Sequence, residues 1–288
     1  MITPTAPVES LARMERKAYG PDPHERSHGG DWTRRAFMID ELAGALVAGR
    51  VAGPITSHDR SNVRRKIERL VAGDPDAQFG LRGLGSLSAE DVLAIVAEEA
   101  DFDANSKTEG GPTPINPLKV LAACEAAGRR LAHAAESGAR VLLATGHPAG
   151  LPLLYQAVGT LLERHGAKLL RPAGGYDWRE SGRHRQIRYL HGVAVLSDHG
   201  STLHTHSSGP MHLMLEEVRP DLVFADHGFA GAAIQAGVAT VSIADVNDPA
   251  LLVAKRLGRT ETVIVMDDNV QPEDYWPCFQ AIASQFPE

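Results

Sequence analysis

The chain has 288 residues, of which 43% are hydrophobic and 23% charged, a composition typical of a globular protein with a sizeable core. Its formal net charge of −7 argues against a nucleic-acid-binding domain with a general basic surface. No run of residues approaches the roughly 18 apolar residues of a membrane span, and the N-terminal segment lacks the pattern of a signal peptide. We therefore expect a cytoplasmic protein with neither nucleic-acid nor membrane partners.

The first hundred residues predict helices joined by loops, and no strand. Apolar spacing predicts a short helix over 7–19 and another over 32–50. We expect Ser57 to cap a helix in SHDRSNVRRKIERLV and Ser88 to cap one in LSAEDVLAIVAEEA. A serine at this position accepts a hydrogen bond from a free backbone N–H of the first turn. Residues 1–100 are thus predicted to form a helical N-terminal region.

The character of the chain changes near Arg140. Apolar runs recur from there, each followed by a helical pattern: VLLAT, AKLLRP, LVFAD, TVSIAD and TVIVMDD. Continuous apolar runs are typical of parallel strands whose two faces are covered by helices. The segment 186–198 instead has two β-rich runs around His191–Gly192, which predicts a hairpin. Residues 101–288 are therefore predicted to form a Rossmann-like, three-layer α/β domain with a mostly parallel sheet and one hairpin.

Small and ionisable residues follow the predicted strands at their carboxyl ends. The clusters are Thr145–Gly146–His147, Asp198–His199–Gly200, Asp226–His227–Gly228, Asp245 with Asn247 and Asp248, and Asp267–Asp268–Asn269. In an open α/β sheet these ends share one edge, and ligands bind in the crevice just outside it. We therefore predict an active or ligand-binding site at this edge.

The turn after the first of these strands predicts a phosphate site. Gly146 permits close approach of the backbone to a ligand, and a helix beginning at 148–149 would direct its free N–H groups at the turn. Thr145 and His147 complete the predicted phosphate-binding turn, and Gly228 repeats the device after LVFAD. An ordinary turn with an exposed His147 is the alternative. The sequence contains neither GxGxxG at a strand end nor GxxxxGK[ST], which argues against NAD and against a P-loop.

Histidine and aspartate side chains near the same edge predict a site for a divalent metal. His204 and His206 are two residues apart, so they point the same way if the segment is extended. The predicted metal ligands are Asp198, His204, His206, Asp226, Asp245 and Asp248. A mixed set of nitrogen and oxygen ligands suits Mn²⁺, Zn²⁺ or Fe, and an all-carboxylate set suits Mg²⁺. The alternative is that the two histidines only bond backbone carbonyls.

A local basic stretch lies between Arg179 and Arg188. It is interpreted either as a solvated loop or as a clamp for an anionic substrate. In the second interpretation Arg183 or Arg185, on a mobile loop, covers the phosphate group and neutralises its charge.

Several segments together resemble an actinobacterial family of phosphatases: ATGHPAGL, HTHSSGPM, PDLVFADHGFAGAAIQAG, ADVNDPAL and MDDN. The helical front followed by a Rossmann-like body is also similar in outline to the metal-dependent DUF89 phosphatases. The pair Asp101 and Asp103, followed by VLLATGHP, resembles haloacid-dehalogenase-type phosphatases. That family carries its Asp-x-Asp on a strand, whereas Asp101 follows a predicted helix.

These observations predict hydrolysis of a small phosphomonoester, assisted by a divalent metal. Asp226 and Asp245 would hold the ion, which polarises the phosphoryl group and activates water. His147 or His227 would protonate the leaving oxygen. The alternatives are a non-hydrolytic binder of a nucleotide or sugar phosphate, or a transferase or lyase acting on a phosphorylated small molecule. The surplus of Asp and His at the strand ends favours hydrolysis.

Overall fold

A computed structural model describes residues 39–104 and 110–287. The described helices are α1 (Ile39–Ala48), α2 (Arg60–Val71), α3 (Pro75–Gln78), α4 (Ala89–Ala100), α5 (Pro117–Glu136), α6 (Pro152–Arg164), α7 (Gly209–Glu217), α8 (His227–Gln235), α9 (Pro249–Arg256) and α10 (Trp276–Ala283). The described strands are β1 (Arg140–Ala144), β2 (Lys168–Leu169), β3 (Asp177–Glu180), β4 (Arg183–Leu190), β5 (Val193–Ser197), β6 (Thr202–Leu203), β7 (Leu222–Asp226), β8 (Thr240–Ala244) and β9 (Thr262–Val265). The helix predicted over 7–19 lies outside the described residues, as does the first part of the one predicted over 32–50.

The N-terminal region is helical as predicted, with one cap confirmed and one wrong. Ser88 caps α4 by accepting a hydrogen bond from the Asp91 N–H, and the Asp91 side chain accepts one from the Ser88 N–H in return. The cap of α2 is Asp59, which accepts from the Asn62 N–H, and not Ser57. Asp59 lies directly before the first helical residue, whereas Ser57 lies too far upstream and bonds another part of the fold.

The predicted α/β fold with a mostly parallel sheet is confirmed. Within the described residues the main path of the sheet runs β3-β4-β5-β1-β7-β8-β9, with β2 paired to β1 and β6 to β5. Strand β1 is parallel to both β5 and β7, and β7, β8 and β9 are parallel in turn. The predicted hairpin over 186–198 is the antiparallel pair β4–β5. Sequence analysis missed β3, which extends this hairpin as a further antiparallel strand.

The strand order creates a crevice at β1. After β1 the chain builds β2 and β5 on one side of it, and later returns to place β7 on the other side. Such a reversal of strand order leaves an opening outside the carboxyl ends of the strands, where ligands bind in open α/β sheets. The segments that follow β1 and β7 therefore face each other across this opening.

Helices cover the parallel strands, and all residues of β5, β7 and β8 are buried. Leu46 of α1 and Ile67 of α2 belong to the same hydrophobic core as the sheet residues Leu143 and Phe224. The division of the chain at residue 100 thus stays a prediction, since both parts share this core. None of the helices in the described part of the chain is long and apolar enough to cross a membrane.

Candidate active site

The turn after β1 is held by close backbone contacts. The Gly146 N–H donates to Asp226 Oδ1 at 2.7 Å, and the Gly146 carbonyl accepts from the Thr205 N–H at 3.0 Å. A Cβ atom at residue 146 would lie 2.3 Å from the Thr205 carbonyl oxygen. Only glycine fits this approach, which brings the segment around Thr205 and the end of β7 against β1.

The predicted helix start at 148–149 is wrong, because α6 begins at Pro152. The backbone of the turn is also already engaged: Gly146 donates to Asp226, and the His147 N–H donates to Thr145 Oγ1 at 2.9 Å. Neither N–H group is free for an anion. The N–H groups of Gly146 and His147 thus hold the side chains of Asp226 and Thr145, and phosphate binding at Thr145, Gly146 and His147 stays a prediction.

The segments around this turn bring four imidazole rings together in the described part of the chain. Ring centroids are 4.4 Å apart for His147 and His204, and 4.7 Å apart for His206 and His227. The His147 and His227 rings are separated by 4.8 Å. His204 and His206 thus lie in one cluster, as predicted. His147, from the turn after β1, and His227, from the start of α8, belong to the same cluster.

Buried carboxylates surround these rings. Asp226, Asp245, Asp248, Asp267 and Asp268 are each at most 3% exposed. They follow β7, β8 and β9, whose carboxyl ends meet at the predicted edge of the sheet. We refer to the four histidines, these aspartates and His58 as the His/Asp cluster.

His227 connects three of the carboxylates. Its Nε2 lies 3.1 Å from Asp248 Oδ2 and 3.4 Å from Asp268 Oδ2, and its Nδ1 lies 3.5 Å from Asp226 Oδ1. Its backbone φ of +45° is rare for a residue with a side chain. Gly228, predicted to bind phosphate, is packed closely: a Cβ there would lie 2.2 Å from the His206 carbonyl oxygen. The start of α8 thus fixes the centre of the cluster.

Two residues of the N-terminal region also reach the site, and the sequence prediction missed both. The Ser57 N–H and Oγ donate to the two oxygens of Asp267 at 2.5 and 2.9 Å. His58 Nε2 lies 3.4 Å from Asp245 Oδ2. The two residues lie in a loop before α2, without periodicity, about 190 to 210 positions from their partners. Asp267 and Asp268 were recognisable from their place after the last strand, but the predicted ligand set omits them.

The pKa values of the carboxyl groups reflect this crowding. Burial raises the pKa of Asp226, and burial with the nearby charge of Asp268 raises that of Asp245 well above its usual value. Burial alone would also raise the pKa of Asp248, but His227 holds it below its usual range. Without a bound cation, the cluster therefore resists carrying its full negative charge.

The two predicted proton donors, His147 and His227, lie in different electrostatic environments. Burial, together with the charge of His227, lowers the pKa of His147 to about 4, so His147 is neutral near pH 7. Burial opposes protonation of His227, but Asp248 and Asp268 raise its pKa well above its usual value. The His227 side chain is only 2% exposed, however, and offers little surface to a substrate. A neutral imidazole such as His147 is the form that binds a metal ion.

Three further predicted residues lie outside the His/Asp cluster. Asp198 follows β5 at the same edge, but it is exposed and accepts hydrogen bonds from the Gly200 and Ser201 N–H groups. Its carboxylate closes the turn into β6 and is not among the residues of the His/Asp cluster. Arg183 and Arg185 lie on strand β4 and not on a loop, and Arg185 pairs with Glu180 at 3.2 Å.

The residues of the cluster fit a divalent metal. Asp226 Oδ2, Asp245 Oδ2, Asp268 Oδ2 and His227 Nδ1 are buried without a hydrogen-bond partner in the described residues. Buried carboxylate oxygens are costly unless a cation or a proton compensates them. Of the four groups in the described residues whose ligand atoms lie within 4.8 Å of one another, three belong to this cluster: His147, His204 and His227; His206, His227 and Asp248; His58, Asp245 and Asp268. The fourth, Asp177 with His184 and His199, is exposed.

Asp101, the first acidic residue of the haloacid-dehalogenase-like pattern, is the C-terminal cap of α4 and accepts a hydrogen bond from the Asn116 side chain. It does not follow a strand of the sheet, so this resemblance is not supported.

Comparison with known proteins gives a consistent result. Residues 37–285 match the profile of a protein family described as Phosphatase. A protein of Streptomyces coelicolor named Phosphatase SCO2771 is 36% identical over 245 residues, which cover 82% of this chain and 91% of that protein. The family match spans both the helical region that carries His58 and the sheet that carries the aspartates.

Proposed function

The chain belongs to this phosphatase family, and from that premise we propose that it hydrolyses a small phosphomonoester at the His/Asp cluster with the help of a divalent metal. The observation that carries the proposal is the convergence of buried carboxylates with unpaired oxygens and several imidazoles at the opening beside β1. Such a donor set binds divalent cations, and a cation next to a phosphate offsets its charge.

The ligands are drawn from both residue types. Asp226, Asp245 and Asp248 offer carboxylate oxygens, and His204 and His206 offer imidazole nitrogens. This mixed set favours Mn²⁺, Zn²⁺ or Fe over Mg²⁺. When bound, the cation polarises the phosphoryl group and lowers the pKa of a bound water.

The histidines divide into two roles by exposure. His204 is exposed and the His147 side chain is 13% exposed, so these two rings are the ones that a substrate at the opening contacts. His227 is buried against three carboxylates, and we assign it a positioning role, which is to orient Asp226, Asp248 and Asp268. A ring held by several carboxylates keeps them from rotating away from the cation.

Non-hydrolytic binding of a phosphorylated ligand is the alternative that the geometry disfavours. It depends on free backbone N–H groups at the turn after β1, and those of Gly146 and His147 are already donated within the protein. The buried aspartates, which repel an anion unless a cation intervenes, would also work against simple phosphate binding. Their presence is explained by metal-assisted chemistry.

A substrate panel tests the proposal. With Mn²⁺ present, the purified protein is expected to release phosphate from 4-nitrophenyl phosphate, a sugar phosphate and a nucleoside monophosphate. Bis(4-nitrophenyl) phosphate, a diester, should react at least about tenfold more slowly, because a diester lacks the second ionisable oxygen that a cationic site recognises. Saturable binding of the monoesters without release of phosphate would instead establish a binding protein.

The basic strand β4 gives a prediction about substrate affinity. Because β4 is antiparallel to β5, its first residues extend beyond the carboxyl end of β5, at the edge that carries the cluster. Replacing Arg183 and Arg185 together by Gln should raise KM about fivefold with little change in kcat, as expected for an exposed and a half-buried charge that attract an anion. Arg188→Gln, whose side chain points to the opposite face of the strand, is the matched control. An unchanged KM in the double variant would mean that these arginines are solvated surface residues that do not contribute to substrate binding.

A further inference from the structure

Asp268 stands between two separate groups of ligand atoms. Its Oδ1 lies 3.3 Å from His147 Nε2, and its Oδ2 lies 3.4 Å from His227 Nε2. One of its oxygens also lies within 4.8 Å of ligand atoms of His58 and Asp245. We call His147, His204 and His206 with Asp226 and Asp248, arranged around the positioning residue His227, the histidine side, and His58 with Asp245 the carboxylate side. Asp268 contacts both.

Each side has buried ligand atoms that nothing in the described residues satisfies. Asp245 Oδ2 on the carboxylate side and His206 Nδ1 on the histidine side, the latter 3.2 Å from Asp76 Oδ1, are both buried without a hydrogen bond in the described residues, and so is Asp268 Oδ2. The nearest cationic candidate to Asp245 is His58, at 3.4 Å, and that ring is neutral when it serves as a metal ligand. A cation on the histidine side alone would therefore leave Asp245 uncompensated.

The charge of the cluster also favours more than one divalent cation. The described residues place five aspartates within it, each at most 3% exposed. Two divalent cations carry four positive charges, which offset the negative charges of four of the five carboxylates. That remaining carboxylate is accounted for by Asp267, which accepts hydrogen bonds from the Ser57 N–H, the Ser57 hydroxyl and the Asn269 N–H.

We propose that the His/Asp cluster holds two divalent cations bridged by Asp268, one on the histidine side and one on the carboxylate side, with His58 a ligand of the second. This inference rests on the proposed metal-dependent function and adds to it. A pair of cations, typically about 3.5–4 Å apart, contacts the attacking and leaving oxygens of a phosphate at the same time. The histidine side suits Zn²⁺, Mn²⁺ or Fe, and the carboxylate side suits Mn²⁺ or Mg²⁺.

The proposal gives the N-terminal helical region a chemical role. His58 lies in the loop before α2, held there by Ser57, whose N–H and hydroxyl bond Asp267. The ligand set of the second cation is therefore complete only when this loop packs against the sheet. The N-terminal helical region then supplies a ligand of the proposed metal site.

The test is metal stoichiometry in the full chain. Protein dialysed against a chelator and then against buffer is titrated with Mn²⁺, with bound metal measured by mass spectrometry and spin coupling by electron paramagnetic resonance. The wild type is expected to bind two Mn²⁺ per chain and to show the spectrum of an exchange-coupled pair. His58→Ala should bind one and lose the coupling. His133→Ala, which removes an exposed histidine of α5, should retain two.

The outcomes separate this inference from the proposed function. One Mn²⁺ per chain in the wild type, with metal-dependent phosphate release, would overturn the second cation and leave the phosphatase proposal intact. No bound metal, with release unaffected by chelation, would overturn both. Two Mn²⁺ in His58→Ala would remove His58 from the ligand set. A second variant, His58→Gln, and thermal unfolding of both variants guard against a loss of fold, and a folded His58→Gln protein that binds one Mn²⁺ supports the proposal.

Discussion

Asp226→Asn is expected to lower kcat for phosphomonoester hydrolysis by about 10³-fold, since loss of one charged ligand removes several kcal/mol of electrostatic stabilisation from the transition state. Asp226 accepts a hydrogen bond from the Gly146 N–H, and its carboxylate is fully buried beside the hydroxyl groups of Thr145 and Tyr155. Asparagine retains an acceptor for Gly146 but not the negative charge. The measurement is the rate of phosphate release at saturating substrate and Mn²⁺.

Asp198→Asn is the matched control for this substitution. Both aspartates follow a strand of the sheet and precede His and Gly, but Asp198 is exposed and closes a turn. It should retain kcat within about twofold, as surface substitutions usually do. The melting temperature of metal-free Asp226→Asn should equal or exceed that of the metal-free wild type, because the substitution removes a buried charge whose pKa is raised by burial. Equal activity losses in the two variants would contradict the assignment of Asp226.

The second large effect is expected at Gly231→Ala, which should lower the free energy of unfolding by about 3 kcal/mol. A Cβ at residue 231 would lie 2.0 Å from the Phe79 carbonyl oxygen, a backbone atom that moves only with its segment. This contact joins α8 to the N-terminal region. The Phe79 ring in turn lies 5.0 Å from the His206 ring and 5.2 Å from the His227 ring, so activity should fall as well.

Gly44→Ala provides the control for the Gly231 prediction. Gly44 is an exposed residue of α1, and a Cβ there would meet nothing within 4 Å. Alanine has the higher helix propensity, so this variant should be more stable by about 0.5–1 kcal/mol. Urea unfolding of both variants measures the two changes. A Gly231→Ala protein as stable as the wild type would mean that α8 and the Phe79 segment are less tightly packed than the structure indicates.

The parallel sheet and its functional edge could be predicted from the sequence because both depend on local patterns. Runs such as LVFAD and TVSIAD are apolar throughout, as strands covered on both faces must be. The polar residues directly after these runs lie close together because the carboxyl ends of parallel strands share one edge of the sheet. Strand β3 was not predicted because its sequence, DWRE, is largely polar and mostly exposed and contains no apolar run.

Other parts of the site depend on tertiary contacts that no local pattern encodes. Asp198 and Asp226 have the same sequence context, yet β5 leads into a tight turn to β6 whereas β7 leads into the buried helix α8. The position of Ser57 near the start of α2 predicts a helix cap, but its hydroxyl bonds Asp267 instead. His58 gave no signal beyond its residue type. Its contribution emerges only when the N-terminal region is placed against the sheet.

Removal and restoration of the metal test whether hydrolysis at the His/Asp cluster depends on a divalent cation. Phosphate release from 4-nitrophenyl phosphate is measured for protein treated with EDTA and freed of chelator, before and after addition of Mn²⁺. We predict that the metal-free protein retains less than about a hundredth of the rate, given the several kcal/mol that a cation contributes, and that Mn²⁺ restores it. A metal-free protein that releases phosphate at the full rate would contradict metal-assisted hydrolysis at the His/Asp cluster.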